Sequence, residues 1–79
     1  MTDVFVGIDV SKATLDVMVL PEERYFQVSR DEAGVEQLLA TLKPLGVTLI
    51  VLEATGGLER PVVMALAAAG LQVVTINPR

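Results

Sequence analysis

The sequence predicts a single α/β domain: a mixed five-stranded sheet of order 3-2-1-4-5 with two helices on one face. Three observations predict it. The first 30 residues carry strand patterns joined by short turns, after which the period changes to that of an amphipathic helix. The elements then run β-β-β-α-β-α-β. At 52% hydrophobic, the 79 residues hold enough apolar side chains for one core and too few residues for two domains.

Residues 4–9, VFVGID, are nearly continuous and partly β-branched, the pattern of a central strand covered on both faces. Residues 10–13 form a short connection. In TLDVMVL, 14–20, Leu15, Val17 and Val19 share one face, and Thr14, Asp16 and Met18 the other. Pro21-Glu22-Glu23 is turn chemistry, and RYFQVS, 24–29, is a third strand. Asp31 then suits a helix N-cap, with Val35, Leu38, Leu39 and Leu42 at i, i+3, i+4 and i+7. Pro44 and Gly46 stop that helix. VTLIVLE, 47–53, is a fourth strand. After the loop Thr55-Gly56-Gly57, Pro61 fits the first turn of a second helix that ends at Gly70. LQVVTI, 71–76, is a fifth strand, ended by Asn77-Pro78.

In a meander, strand 3 runs parallel to strand 1. A right-handed helical crossover can therefore lay strand 4 beside strand 1, and a second lays strand 5 beside strand 4. Both helices fall on one face, the ribonuclease-H-like arrangement. A flavodoxin-type sheet is all parallel and does not open with two hairpins. Strands 1 and 4 become neighbours, with Asp9 and Glu53 at their C-terminal ends, the edge where functional groups of open α/β sheets gather.

Composition narrows the chemistry. With no cysteine and no histidine, thiol nucleophiles, Ser-His catalysis, disulfides and His- or Cys-based metal sites are excluded. Carboxylates remain. A net charge of −4 lacks the basic footprint of a free-standing nucleic-acid binder. No apolar run nears the ~20 residues of a membrane span, and MTDVFVG lacks the basic start of a signal peptide. No membrane partner and a cytoplasmic setting are expected.

Two carboxylates on adjacent strands, roughly 5 Å apart, repel. A hard divalent cation resolves the conflict, and Mg²⁺ is typically held by one or two carboxylates with phosphate oxygens and water. A pair of such ions roughly 4 Å apart can activate a nucleophile and stabilise a leaving oxygen in phosphodiester cleavage. The simpler alternative is that each acid meets water or caps a turn; it is the pair, on neighbouring strands, that points to a site. Ser11 and Lys12 can contact a phosphate, although a solvated hairpin turn explains them as well. Thr55, Gly56 and Gly57 precede a helix N-terminus that can hold an anion, or form a plain turn. Asp16 reads as exposed or near a sheet rim, and the remaining acids as solvated surface.

GIDVSKATLDV at 7–17, VLEATGGLERPVV at 51–63 and VVTINPR at 73–79 resemble, in order and spacing, the N-terminal part of DEDD-type insertion-sequence transposases. These are the pilin-gene-invertase-related recombinases guided by a bridge RNA. The resemblance implies a RuvC-like catalytic domain that cleaves and joins DNA strands with Mg²⁺ or Mn²⁺, using four acids in the order Asp, Glu, Asp, Asp. Asp9 matches the first and Glu53 the second; the family's last two acids follow the NPR segment, and its serine nucleophile lies on a separate domain. Ser11 is not that serine. The implied partners are DNA and a guide RNA. Residues 1–79 are thus expected to be one fragment of a catalytic domain, weak in metal binding and inactive alone. Apolar residues on both faces of strands 1 and 4 further predict self-association through an uncovered sheet face or edge.

Two other function classes compete. Actin-like and sugar-kinase nucleotide-binding domains share the topology, but their phosphate loop needs a glycine soon after the Asp, where Val10, Ser11 and Lys12 stand here. A non-catalytic α/β interaction module would make both acids ordinary turn residues.

Overall fold

The computed structural model describes residues 2–53 and 56–77. Strands β1 (Phe5–Val10), β2 (Thr14–Leu20) and β3 (Arg24–Ser29) form the meander. Helix α1 (Glu32–Leu42) and a 3₁₀ turn (Lys43–Leu45) lead to β4 (Leu49–Glu53); α2 (Arg60–Ala68) leads to β5 (Val73–Ile76). The sheet order is β3-β2-β1-β4-β5, with β1 antiparallel to β2 and parallel to β4, as the sequence predicts.

Three boundaries differ from expectation. Val10 belongs to β1, paired with Leu15, because the hairpin connection is only residues 11–13. β4 starts two residues late: the Thr48 N–H donates to the Val4 carbonyl at 2.7 Å, but Thr48 Oγ1 takes the Val4 N–H at 3.3 Å, a side chain standing in for a ladder partner. β5 also starts late, because the Leu71 N–H is committed to the Leu66 carbonyl at the end of α2 (3.1 Å).

One face of the sheet is covered by the helices and sealed over its central strands. Val6, Ile8 and Val10 of β1, Leu15, Val17 and Val19 of β2, Val28 of β3, and Ile50 and Leu52 of β4 are all buried, as are Leu38 and Leu42 of α1 and Val62 and Leu66 of α2. Alternation sends every second residue of β1, β2 and β4 into this layer, while Arg24 and Thr75 on the edge strands share the side but stay exposed, and the helical period supplies the facing stripe. The entry to α1 is held by Asp31, whose Oδ1 accepts from the Gly34 N–H at 2.8 Å and the Ser29 hydroxyl at 2.7 Å. Those bonds hold its carboxyl below the usual carboxylate range. Gly34 sits where the helix meets the end of β3. A Cβ there would run into the Ser29 carbonyl oxygen, so no other residue fits without moving backbone.

The opposite face of the sheet has no element packed on it among the described residues. The apolar pattern on both faces of strand 1, with both helices on one side, predicts an uncovered apolar face; here Phe5 is 41% exposed, and Met18, Leu20, Tyr25, Val74 and Ile76 are exposed with it. Alternation places all six on the same side, together with Gly7, Asp9, Asp16, Val51 and Glu53.

Candidate metal centre

Strand register arranges this open face in bands. Gln27, Asp16 and Asp9 are successive cross-strand partners, and Glu53 pairs with Ile76. β1 and β4 run in register from Phe5↔Leu49 to Ile8↔Leu52, so one further step sets Asp9 level with Glu53. One row lower lie Tyr25, Met18, Gly7, Val51 and Val74. A polar band thus crosses the sheet at the C-terminal ends of β1 and β4, directly above an apolar one.

Asp9, Asp16 and Glu53 line one shallow, open depression of about 510 Å³, with Gly7, Met18, Tyr25 and Val51. Asp9 is exposed and Glu53 half-buried. The two acids singled out in the sequence are brought together, on adjacent parallel strands. Their hard oxygen donors on an open face match the way Mg²⁺ is held, by one or two carboxylates that leave room for water and phosphate. Among the described residues no cluster of three or more acids, histidines or cysteines is close enough to enclose a metal. The residues therefore fit a cation held by two carboxylates rather than a closed protein cage.

Asp16 is the residue that sequence reading underrated. It is not at a rim: it stands directly across from Asp9. Like charges in that position destabilise a sheet unless one is tied elsewhere. Here the Tyr25 hydroxyl and Gln27 Nε2 both donate to Asp16 Oδ1, each at 2.7 Å. The Gln27 and then the Tyr25 bond hold the Asp16 carboxyl below its usual range. The same bond to Asp16 pushes the Tyr25 hydroxyl above its ordinary value, with burial and then the charges of Asp16 and Asp9 adding to it. Val10 pairs with Leu15 across residues 11–14, and this register, which a connection over residues 10–13 does not give, sets Asp9 opposite Asp16.

The weaker candidates fall outside this centre. Ser11 closes the hairpin: its N–H donates to the Thr14 carbonyl at 2.9 Å, and its Oγ lies 2.8 Å from Thr14 Oγ1. The Lys12 carbonyl accepts from Arg30 Nε at 2.8 Å, which leaves its exposed side chain in the turn. Gly57 donates its N–H to Glu59 Oε1 at 3.1 Å, so that amide already serves a carboxylate of the chain itself. Gly56 is exposed; Thr55 lies outside the described residues.

Comparisons with known proteins agree with this architecture. T. thermophilus RuvC, solved in complex with a Holliday junction substrate, superposes with a TM-score of 0.70 at 16% identity, covering 98% of this chain and 66% of its own. YeaZ from Pseudomonas aeruginosa follows at 0.57 and 20% identity, with 96% and 43% covered. A YeaZ-like protein of the same organism gives 0.54 at 19%, with 96% and 44% covered. The chain thus spans just under two thirds of the RuvC chain and less than half of the other two. No curated protein sequence matches it. A family model described as Transposase, that of the DEDD transposases of the IS110 type, matches residues 6–79. The chain, with its RuvC-like fold, belongs to that transposase family.

Proposed function

We propose that this chain is part of a transposase that cleaves and joins DNA strands with a divalent cation, Mg²⁺ or Mn²⁺, held by Asp9 and Glu53. The observation that carries the reading is the convergence of those two acids, from adjacent parallel strands, on one open-face depression in a transposase-family chain. RuvC's complex with a Holliday junction supports DNA as the partner. The guide RNA, a homo-oligomer through the open face or an edge, and a cytoplasmic location belong to the same proposal. No helix among the described residues is long and apolar enough to span a membrane.

The residues divide the work. Asp9 and Glu53 present hard oxygen ligands on a rigid sheet, which fixes their separation before substrate arrives. When bound, the cation supplies Lewis acidity at the scissile phosphodiester. Without one, the acid band repels a phosphate backbone; that makes DNA approach conditional on the metal. Asp16, tied to Tyr25 and Gln27, remains ionised and strengthens that condition. Two acids alone make a weak site, and the 79 residues by themselves carry out no strand transfer.

The test uses the transposase that carries this chain. Asp9→Asn and Glu53→Gln should each abolish Mg²⁺-dependent strand cleavage while leaving the fold intact by circular dichroism. Cleavage surviving in either variant overturns the assignment. For the isolated chain, plasmid nicking that depends on Asp9 would contradict its proposed inactivity.

A further inference from the structure

The metal site explains Asp9 and Glu53 but not the ring beside them. Tyr25 is 58% exposed, on the site's face of the sheet, in a chain whose only other aromatics are Phe5 and Phe26. An exposed tyrosine ordinarily leaves its hydroxyl to water. Here the hydroxyl is tethered to Asp16 at 2.7 Å, and Gln27, two residues along the same strand, anchors the same carboxylate oxygen. The ring therefore loses rotational freedom before any ligand arrives, which lowers the entropic cost of stacking on it.

Its surroundings suit a flat, uncharged group. Met18, its cross-strand partner, continues the apolar row to Gly7. A Cβ on Gly7 would meet nothing within 4 Å, so the middle of the row is an open dent. Glycine inside a strand often marks a place where a ligand approaches closely. A nucleotide offers the matching halves: a phosphate for the cation at the acid band, and a base for the apolar row. Tyr25 lies two strands from Asp9, about 10 Å, within reach of the base of a neighbouring nucleotide.

We propose that Tyr25 is a stacking platform for an unpaired base of the DNA strand held at Asp9 and Glu53, and that Asp16 is a positioning residue that sets the tilt of the ring. The proposal rests on the reading of Asp9 and Glu53 as the cation and phosphate site.

The chain has one tyrosine and no tryptophan, so its intrinsic fluorescence reports Tyr25 alone. A short single-stranded oligodeoxynucleotide, titrated in Mg²⁺, should quench that signal. An abasic strand of equal length, with the same phosphates and no bases, should not. By anisotropy of labelled strands, Tyr25→Ala should weaken oligonucleotide binding about tenfold and leave abasic binding unchanged. Tyr25→Phe, which keeps the ring and loses the tether, should give a smaller loss; Asp16→Ala, which also lifts the repulsion of phosphate, should lower the ratio of oligonucleotide to abasic binding by the same factor. Equal binding of both strands to wild type and Tyr25→Ala overturns the proposal, as does an absence of quenching. A fluorescence change that follows protein concentration alone, without response to DNA, also overturns it and assigns the ring to a second copy of the chain. Asp9→Asn separates the two readings. If it removes Mg²⁺-dependent binding and wild type still shows no quenching, only the platform fails. If Mg²⁺-dependent binding survives in Asp9→Asn, the cation site fails.

Discussion

The two faces of this sheet are built from alternate residues of the same strands, and they obey different rules. On the helix-covered face, Val6, Ile8 and Val10 are sealed under α1 and α2. On the open face the intervening Phe5, Gly7 and Asp9 meet solvent or half-meet it. The glycines make the contrast sharpest. Gly34 is required because a Cβ would strike the Ser29 carbonyl; Gly7 leaves space that nothing fills. Stability and proposed function are thus separated by parity along β1, and a one-residue slip in register would exchange them.

The largest way to break the covered face is to empty it. Leu38→Ala and Leu66→Ala, at fully buried positions, should each cost about 2–5 kcal/mol in chemical denaturation, enough to unfold much of a domain this small. Gly34→Ala should cost about 3 kcal/mol by forcing α1 away from β3. Gly7→Ala should change stability by no more than about 0.5 kcal/mol yet reduce Mg²⁺-dependent DNA binding by filling the dent. If Gly7→Ala destabilised the chain as much as Gly34→Ala, the division between the faces would be wrong.

The smallest expected effect is that of acid. Asp31 and Asp16 have folded-state values below the ordinary 3.8, so their contributions are fully present above that value. They are lost as pH falls through the lower folded values. Urea melts should therefore show no contribution from either acid to the pH dependence from neutrality to about pH 4, and a falling one below. Asp31→Asn should flatten part of that fall. A loss traced to these acids between pH 7 and 5 would contradict the bonding described for both.

Much of this arrangement was legible in the sequence because it depends on local periodicity. The apolar alternation of β2 and the Asp31, Leu38, Leu42 spacing fix which side chains share a layer. Two short turns followed by two helical crossovers leave little freedom in strand order. Asp9 and Glu53 followed, since each ends an apolar strand. Asp16 and Tyr25 were harder. Their importance lies in a cross-strand register and in hydrogen bonds between residues nine positions apart, neither of which leaves a periodic trace. Gly34 reads as a helix residue like any other until the Ser29 carbonyl is placed beside it. The starts of β4 and β5 were missed because Thr48 Oγ1 and the end of α2 claim bonds that a strand pattern assigns to the ladder.

The central claim is that Asp9 and Glu53 together hold a divalent cation on the open face. Mn²⁺ titrated at substoichiometric amounts into the labelled chain tests it through paramagnetic broadening of the amide signals. The signals of Asp9 and Glu53 should broaden first and together, before those of the surface acids Glu22, Glu23 and Glu36, and Asp9→Asn should abolish the effect at both positions. Broadening that begins at the surface acids, or that persists at Glu53 in the Asp9→Asn variant, would contradict the account.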